Sequence, residues 1–81
     1  MENANGVVNL EFLKYIGAGL AMLGAIGPGL GIGILGYAAL SGIARNPDAA
    51  GDVQTNMILG IAFAEAIAIY CLVVAMAMLF V

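Results

Sequence analysis

The stretch 53-VQTNMILGIAFAEAIAIYCLVVAMAMLFV-81 decides how this chain folds, because it carries a single formally charged side chain, Glu65. About 20 consecutive apolar residues suffice to cross the hydrocarbon core of a bilayer, so the stretch reads as a transmembrane helix. A charged side chain at the bilayer centre costs about 2.5–3.5 kcal/mol on insertion scales. A carboxyl escapes that cost by taking up a proton. Neutral in lipid and charged in water, such a group can carry a proton across a membrane, and an acid inside a span is by default a functional residue.

Working outward, a second apolar run from Tyr15 to Ala44 holds no charged residue at all. The chain has 81 residues, 64% of them hydrophobic and 9% charged, with a mean hydropathy of +1.12. A soluble domain carries about 25% charged residues. The composition therefore predicts an all-α membrane protein, a single two-helix transmembrane hairpin with no second domain. Its expected parts are an N-terminal tail over 1–9, a first helix over 10–44, a polar loop over 45–52 and a second helix over 53–81. Asn9 reads as the N-cap of the first helix, with Glu11 in the first turn where negative charge suits the helix dipole. Arg45-Asn46-Pro47-Asp48 is the stop signal: a cation at the helix end, then a proline that disfavours helix in the residue before it.

Several function classes drop out. Residues 1–9 lack a positive n-region, and the apolar run that follows is too long for a signal peptide, so no cleaved presequence is expected. Cys71 stands alone and forms neither an internal disulfide nor a metal cluster. The absence of histidine removes histidine metal sites and triads, so no metal, no cofactor and no catalytic residue is expected. A net charge of −3 argues against nucleic acid as a partner.

The first helix is crowded with glycine: Gly24, Gly27, Gly29, Gly31, Gly33 and Gly36. At 100° per residue, Gly24 and Gly31 fall within about 60° of Gly27, whereas Gly29, Gly33 and Gly36 lie about 180–240° round from it. Two glycine stripes on roughly opposite faces imply close backbone approach on both sides, whereas a simple helix pair needs one. A closed ring of identical hairpins, joined head to tail, has that requirement; tight packing in another helical bundle is the competing explanation. Gly31-Ile32-Gly33-Ile34-Leu35-Gly36 fits a nucleotide-loop pattern, but it lies inside an apolar span without strand–turn–helix context. Pro28 interrupts the backbone hydrogen bonding of the span, which membrane helices tolerate, and is a candidate bend.

In the second helix, Ile58, Ile61, Ile69, Leu72 and Met76 fall within about 40° of Glu65, placing the acid in an apolar stripe that faces lipid or protein. Counting outward from the loop puts Ile32 at the depth of Glu65. No cation lies near it on the chain, so any partner for the acid comes from another molecule.

Three elements in this order, Gly27-Pro28-Gly29-Leu30-Gly31-Ile32-Gly33, Ala44-Arg45-Asn46-Pro47-Asp48-Ala49 and Ala64-Glu65-Ala66-Ile67-Ala68-Ile69-Tyr70, together resemble the c subunit, or proteolipid, of the rotary F-type ATP synthase. The resemblance runs from about Gly17 to Val81. Asn46 is a mild departure, since the family more often has glutamine there. The resemblance implies a proton-translocating rotor ring of identical hairpins in the membrane sector, non-catalytic by itself, with the glycine-rich helices innermost and membrane lipids around it. It implies a stator a subunit passing protons to and from Glu65, with Ile32, Phe63, Ala66 and Tyr70 as neighbours of that site. It also implies that Arg45, Asn46 and Pro47 form the loop contacting the central stalk. By the same resemblance the protein is an integral protein of a bacterial plasma membrane, with the loop cytoplasmic and both termini outside.

Sodium-binding members of that family carry glutamine at the position of Ile32 and a hydroxyl residue at that of Ala66. Both are apolar here, and a neutral, hydrogen-bonded acid fits such a site better than a hard cation does. The expected ion is therefore a proton. A sodium-coupled ring, or a non-rotary pore-forming or structural hairpin, are the alternatives.

Overall fold

A computed structural model describes residues 10–81, so the tail 1–9, including the expected cap Asn9, lies outside the described residues. Three α-helices build two antiparallel arms: α1 (Leu10–Leu23) and α2 (Ile26–Arg45) form the first, α3 (Ala50–Phe80) the second. The hairpin measures 68 × 17 × 8 Å between Cα extremes. At about 1.5 Å per residue, the 31 residues of α3 extend about 46 Å. That exceeds the roughly 30 Å hydrocarbon core and reaches into the headgroup layers on both sides. Both arms are long and apolar enough to cross a membrane.

The first arm is not one helix, as the expected span 10–44 had it. It breaks at Gly24 and Ala25, whose N–H groups turn back to the carbonyls of Ala21 and Met22, three residues earlier, at 3.1 and 3.0 Å. Pro28 explains the position. A helical proline has no N–H to donate, and its ring crowds the carbonyl four residues before it, which is that of Gly24. The distortion therefore appears one turn ahead of the proline, and regular helix resumes with Gly29 N–H donating to Ala25 C=O at 3.0 Å.

The connection is tighter than the expected loop 45–52. α2 ends at Arg45, and Asn46 leaves helical geometry with φ −138° and ψ 80°, as a residue before proline prefers. Its N–H still reaches Gly42 C=O at 2.9 Å. One 3₁₀ turn over Pro47–Ala49 follows, and α3 begins at Ala50, three residues ahead of the expected Val53. The loop is short because proline preorganises the turn that opens the next helix.

The arms meet along small residues. The half-buried or buried positions run Ala18, Ala21, Ala25, Pro28, Ile32, Leu35 and Ala39 on the first arm, against Val53, Met57, Gly60, Ala64, Ala68, Cys71 and Ala75 on the second. Steps of three and four residues keep each series on one helix face, and the first series continues through the break. Small residues at such a seam let backbones approach closely. Three contacts set the register: Gly17 against Met78, Gly24 against Cys71 and Gly60 against Leu35. The residue numbers of each pair add to 95. Only Ala18, Ala39 and Ala75 are buried among the described residues, while Leu30, Ile34, Tyr37, Phe63 and Tyr70 are each more than 60% exposed. A hairpin with so small a core leaves its outer faces to lipid or to other protein.

Candidate ion-carrying site

Glu65 is the sixteenth of the 31 residues of α3, with fifteen on either side of it. It sits at the middle of the span, as far from water along the helix axis as the hairpin allows. Its side chain is exposed on the hairpin surface, about 100° round the helix from the seam residues Ala64 and Cys71.

The register corrects one expectation. The residue level with Glu65 is Leu30, not Ile32. The turn is centred between Pro47 and Asp48, one residue earlier than counted from the sequence, which moves the level partner by two residues, or about 3 Å along the axis. Ile32 lies half-buried on the seam, facing α3.

In an antiparallel pair, residues displaced from the seam in the same rotational sense emerge on the same side. Gly29 and Gly33 therefore share the flank of Glu65, one on either side of Leu30 in height. A methyl group added at either would meet nothing within 4 Å. Beside the carboxyl the first arm thus offers bare backbone and open space. The other expected neighbours are not gathered around Glu65 within the hairpin. Phe63 and Tyr70 are 68% and 70% exposed and lie about 140–160° round α3 from Glu65, on the opposite flank. Ala66 is exposed and faces away from α2. One hairpin carries both halves of the arrangement, on opposite sides.

The six expected packing glycines divide in the same way. A methyl at Gly24 would come within 2.8 Å of Cys71 Sγ, so Gly24 packs inside the hairpin, whereas Gly27, Gly29, Gly31, Gly33 and Gly36 have open space around them. Gly17 and Gly60 pack against the opposite arm; Gly60 was not among the expected packing positions. Gly60 was legible: it lies four residues from Ala64 and three from Met57, in step with the seam. At the turn, Arg45, Asn46 and Pro47 are all exposed, presented at one tip of the hairpin.

Comparison with known proteins places these features in one context. Residues 16–78 match the family model that describes the C subunit of ATP synthase. The chain is 58% identical over 72 residues to the ATP synthase c subunit of Dehalococcoides mccartyi, covering 88% of this chain and 95% of that one. It is 48% identical over 69 residues to the ATP synthase c subunit of Clostridium acetobutylicum, 85% of each chain. The chloroplastic ATP synthase c subunit of Ostreococcus tauri is 53% identical over 68 residues, 83% of each chain.

Proposed function

Because this chain belongs to the ATP synthase c-subunit family, it is a rotor subunit of that complex in the membrane, and we propose that Glu65 is the group on which it carries a proton. The observation that carries the reading is the position of Glu65: mid-span on an exposed, apolar flank, beside the bare backbone of Gly29 and Gly33. Protonated, the side chain tolerates lipid; opposite a fixed positive charge and a water-filled path, the ionised form is favoured and the proton leaves.

Ring assembly follows from the two unlike flanks. A head-to-tail contact sets one subunit's Glu65 flank against the next subunit's Phe63 and Tyr70 flank, and repetition of such a contact closes into a ring. The glycine-rich arm takes the inner, more crowded radius. In that arrangement Phe63 and Tyr70 approach Glu65 from the neighbour. The side chains of Ile32 and Ala66 supply no oxygen for a metal cation, which favours the proton over sodium. One charge crossing about 100 mV gains roughly 2.3 kcal/mol, so contributions from successive subunits are added through rotation. The subunit performs no chemistry on ATP itself. The loop Arg45-Asn46-Pro47 meets the central stalk on the cytoplasmic side, a stator a subunit exchanges the proton, and the membrane is a bacterial plasma membrane.

The test is ATP-driven pumping by the reconstituted complex in sodium-free vesicles. Pumping that persists without sodium and stops in Glu65→Gln, with assembly kept, supports the reading. A strict sodium requirement, or pumping by the Gln variant, contradicts it.

A further inference from the structure

We propose that Gln54 of each subunit inserts between Asp52 and Asn56 of the next copy of this chain, forming a polar clasp at the loop end of the ring. The inference rests on the ring reading above and adds a contact to it.

A cleft of about 350 Å³ opens between the arms near the turn, lined by Leu35, Ala38 and Ala39 of α2 and by Asp52, Asn56 and Met57 of α3. Leu35, Ala39 and Met57 form its floor on the seam, whereas Ala38, Asp52 and Asn56 turn off the seam to the side that carries Phe63 and Tyr70. Gln54 is exposed and stands two residues from both Asp52 and Asn56. That spacing turns it about 200° from each, onto the flank of Glu65. A head-to-tail contact therefore faces Gln54 of one subunit towards the cleft of its neighbour.

Height decides which groups meet. Rotation about a ring axis leaves the height of each residue unchanged. Gln54 lies midway between Asp52 and Asn56 along α3, about 3 Å from each, so the neighbour's Gln54 arrives level with the gap between them. The chemistry matches. Asn56 Nδ2 donates to the backbone carbonyl of Asp52 at 2.9 Å, which turns the amide back along the helix and leaves Oδ1 as the acceptor. Thr55 Oγ1 is likewise turned back, donating to Gly51 C=O at 3.0 Å. Asp52 contributes acceptor oxygens, and the Gln54 amide has two N–H donors for two acceptors; the bond to an ionised carboxylate is the stronger kind. Gln54 lies eleven residues from mid-span, about 16 Å, at the edge of the hydrocarbon core, where water competes less for such bonds.

Cross-linking tests the contact in the full chain. In a Cys71→Ser background, the pair Gln54→Cys and Asn56→Cys is expected to oxidise into a ladder of oligomers up to the closed ring, with neither single variant doing so. The two cysteines cannot join within one chain, because they point to opposite sides of one helix. As a second measure, Gln54→Glu sets a carboxylate against Asp52 and is expected to lower the temperature at which detergent breaks the ring, and adding Asp52→Asn to restore it. A ring of normal mass that stays unlinked, with a dissociation temperature that Gln54→Glu leaves in place, overturns the clasp. Failure of the unaltered chain to form any ring would strike the rotor reading instead.

Discussion

The two arms of the hairpin are matched in reach and opposed in construction. The second is one unbroken helix of 31 residues with its acid at the centre. The first is broken at Gly24 and Ala25, carries a proline, and is lined with glycines that mostly face away from the other arm. An arm built to satisfy only its own partner would place its small residues on the seam. Here the seam is served by alanines together with Gly17, Gly24 and Gly60, while Gly27 to Gly36 keep bare backbone towards the outside. The glycines of the first arm mostly face beyond the hairpin, and the second arm carries its carboxyl at mid-length.

The sharpest way to break this contrast is to fill the outward glycines. A Cβ added at Gly29 meets nothing within 4 Å inside the hairpin, so with Gly29→Leu the monomer in detergent is expected to keep its helix content, yet the ring to be lost on native gels. A ring of normal mass with this substitution would show that no neighbour approaches there. A smaller effect separates the inward glycines. Gly24→Ala drives a methyl against Cys71 Sγ and the backbone oxygen of Ala21, at 2.8 and 3.1 Å, and overpacking of this kind costs about 1–3 kcal/mol. Gly60→Ala meets the far end of Leu35 at 2.6 Å, a flexible group that can turn aside. Its cost is offset by the roughly 1 kcal/mol by which alanine exceeds glycine in a helix. Unfolding of the two variants in mixed micelles is expected to rank Gly24→Ala as clearly destabilised and Gly60→Ala as near neutral; the reverse order would refute the packing described. The smallest effect is expected from Pro28→Ala. Restoring the N–H lets residue 28 donate to Gly24 C=O, joining α1 and α2. Amide exchange should show protection at residue 28 and a slower amide at Ala25, with little change in assembly.

Much of this was legible in the sequence, and the misses have physical causes. Two apolar runs, one free of charge and one charged only at Glu65, with Arg45-Asn46-Pro47 between them are enough to define a hairpin, because hydrocarbon tolerates few other arrangements of so apolar a chain. Glu65 stands out in the sequence because a charged side chain inside a span is expensive. Pro28 marked a distortion, but a proline disturbs the carbonyl one turn earlier, so the break falls at Gly24 and Ala25. Ile32 was placed level with the acid because the turn was read as longer than the single 3₁₀ turn over Pro47–Ala49; that one-residue error doubles on crossing to the other arm. Periodicity showed two glycine faces but not which belonged to the hairpin, since that depends on the register fixed by Leu35, Cys71 and Met78. The resemblance implied Phe63 and Tyr70 as neighbours of Glu65; within one hairpin the helix turns them to the other flank.

The proton-carrying role proposed for Glu65 requires its side chain to face lipid uncharged. A hydrophobic carbodiimide enters from the lipid phase, the protonated carboxyl adds across its C=N bond (oxygen to carbon, proton to nitrogen), and mass spectrometry locates the adduct. In an assembled ring Glu65 is expected to be modified while Asp48 and Asp52, near the turn, are spared. Equal labelling of all three, or no labelling of Glu65 in an assembled ring at neutral pH, would contradict it.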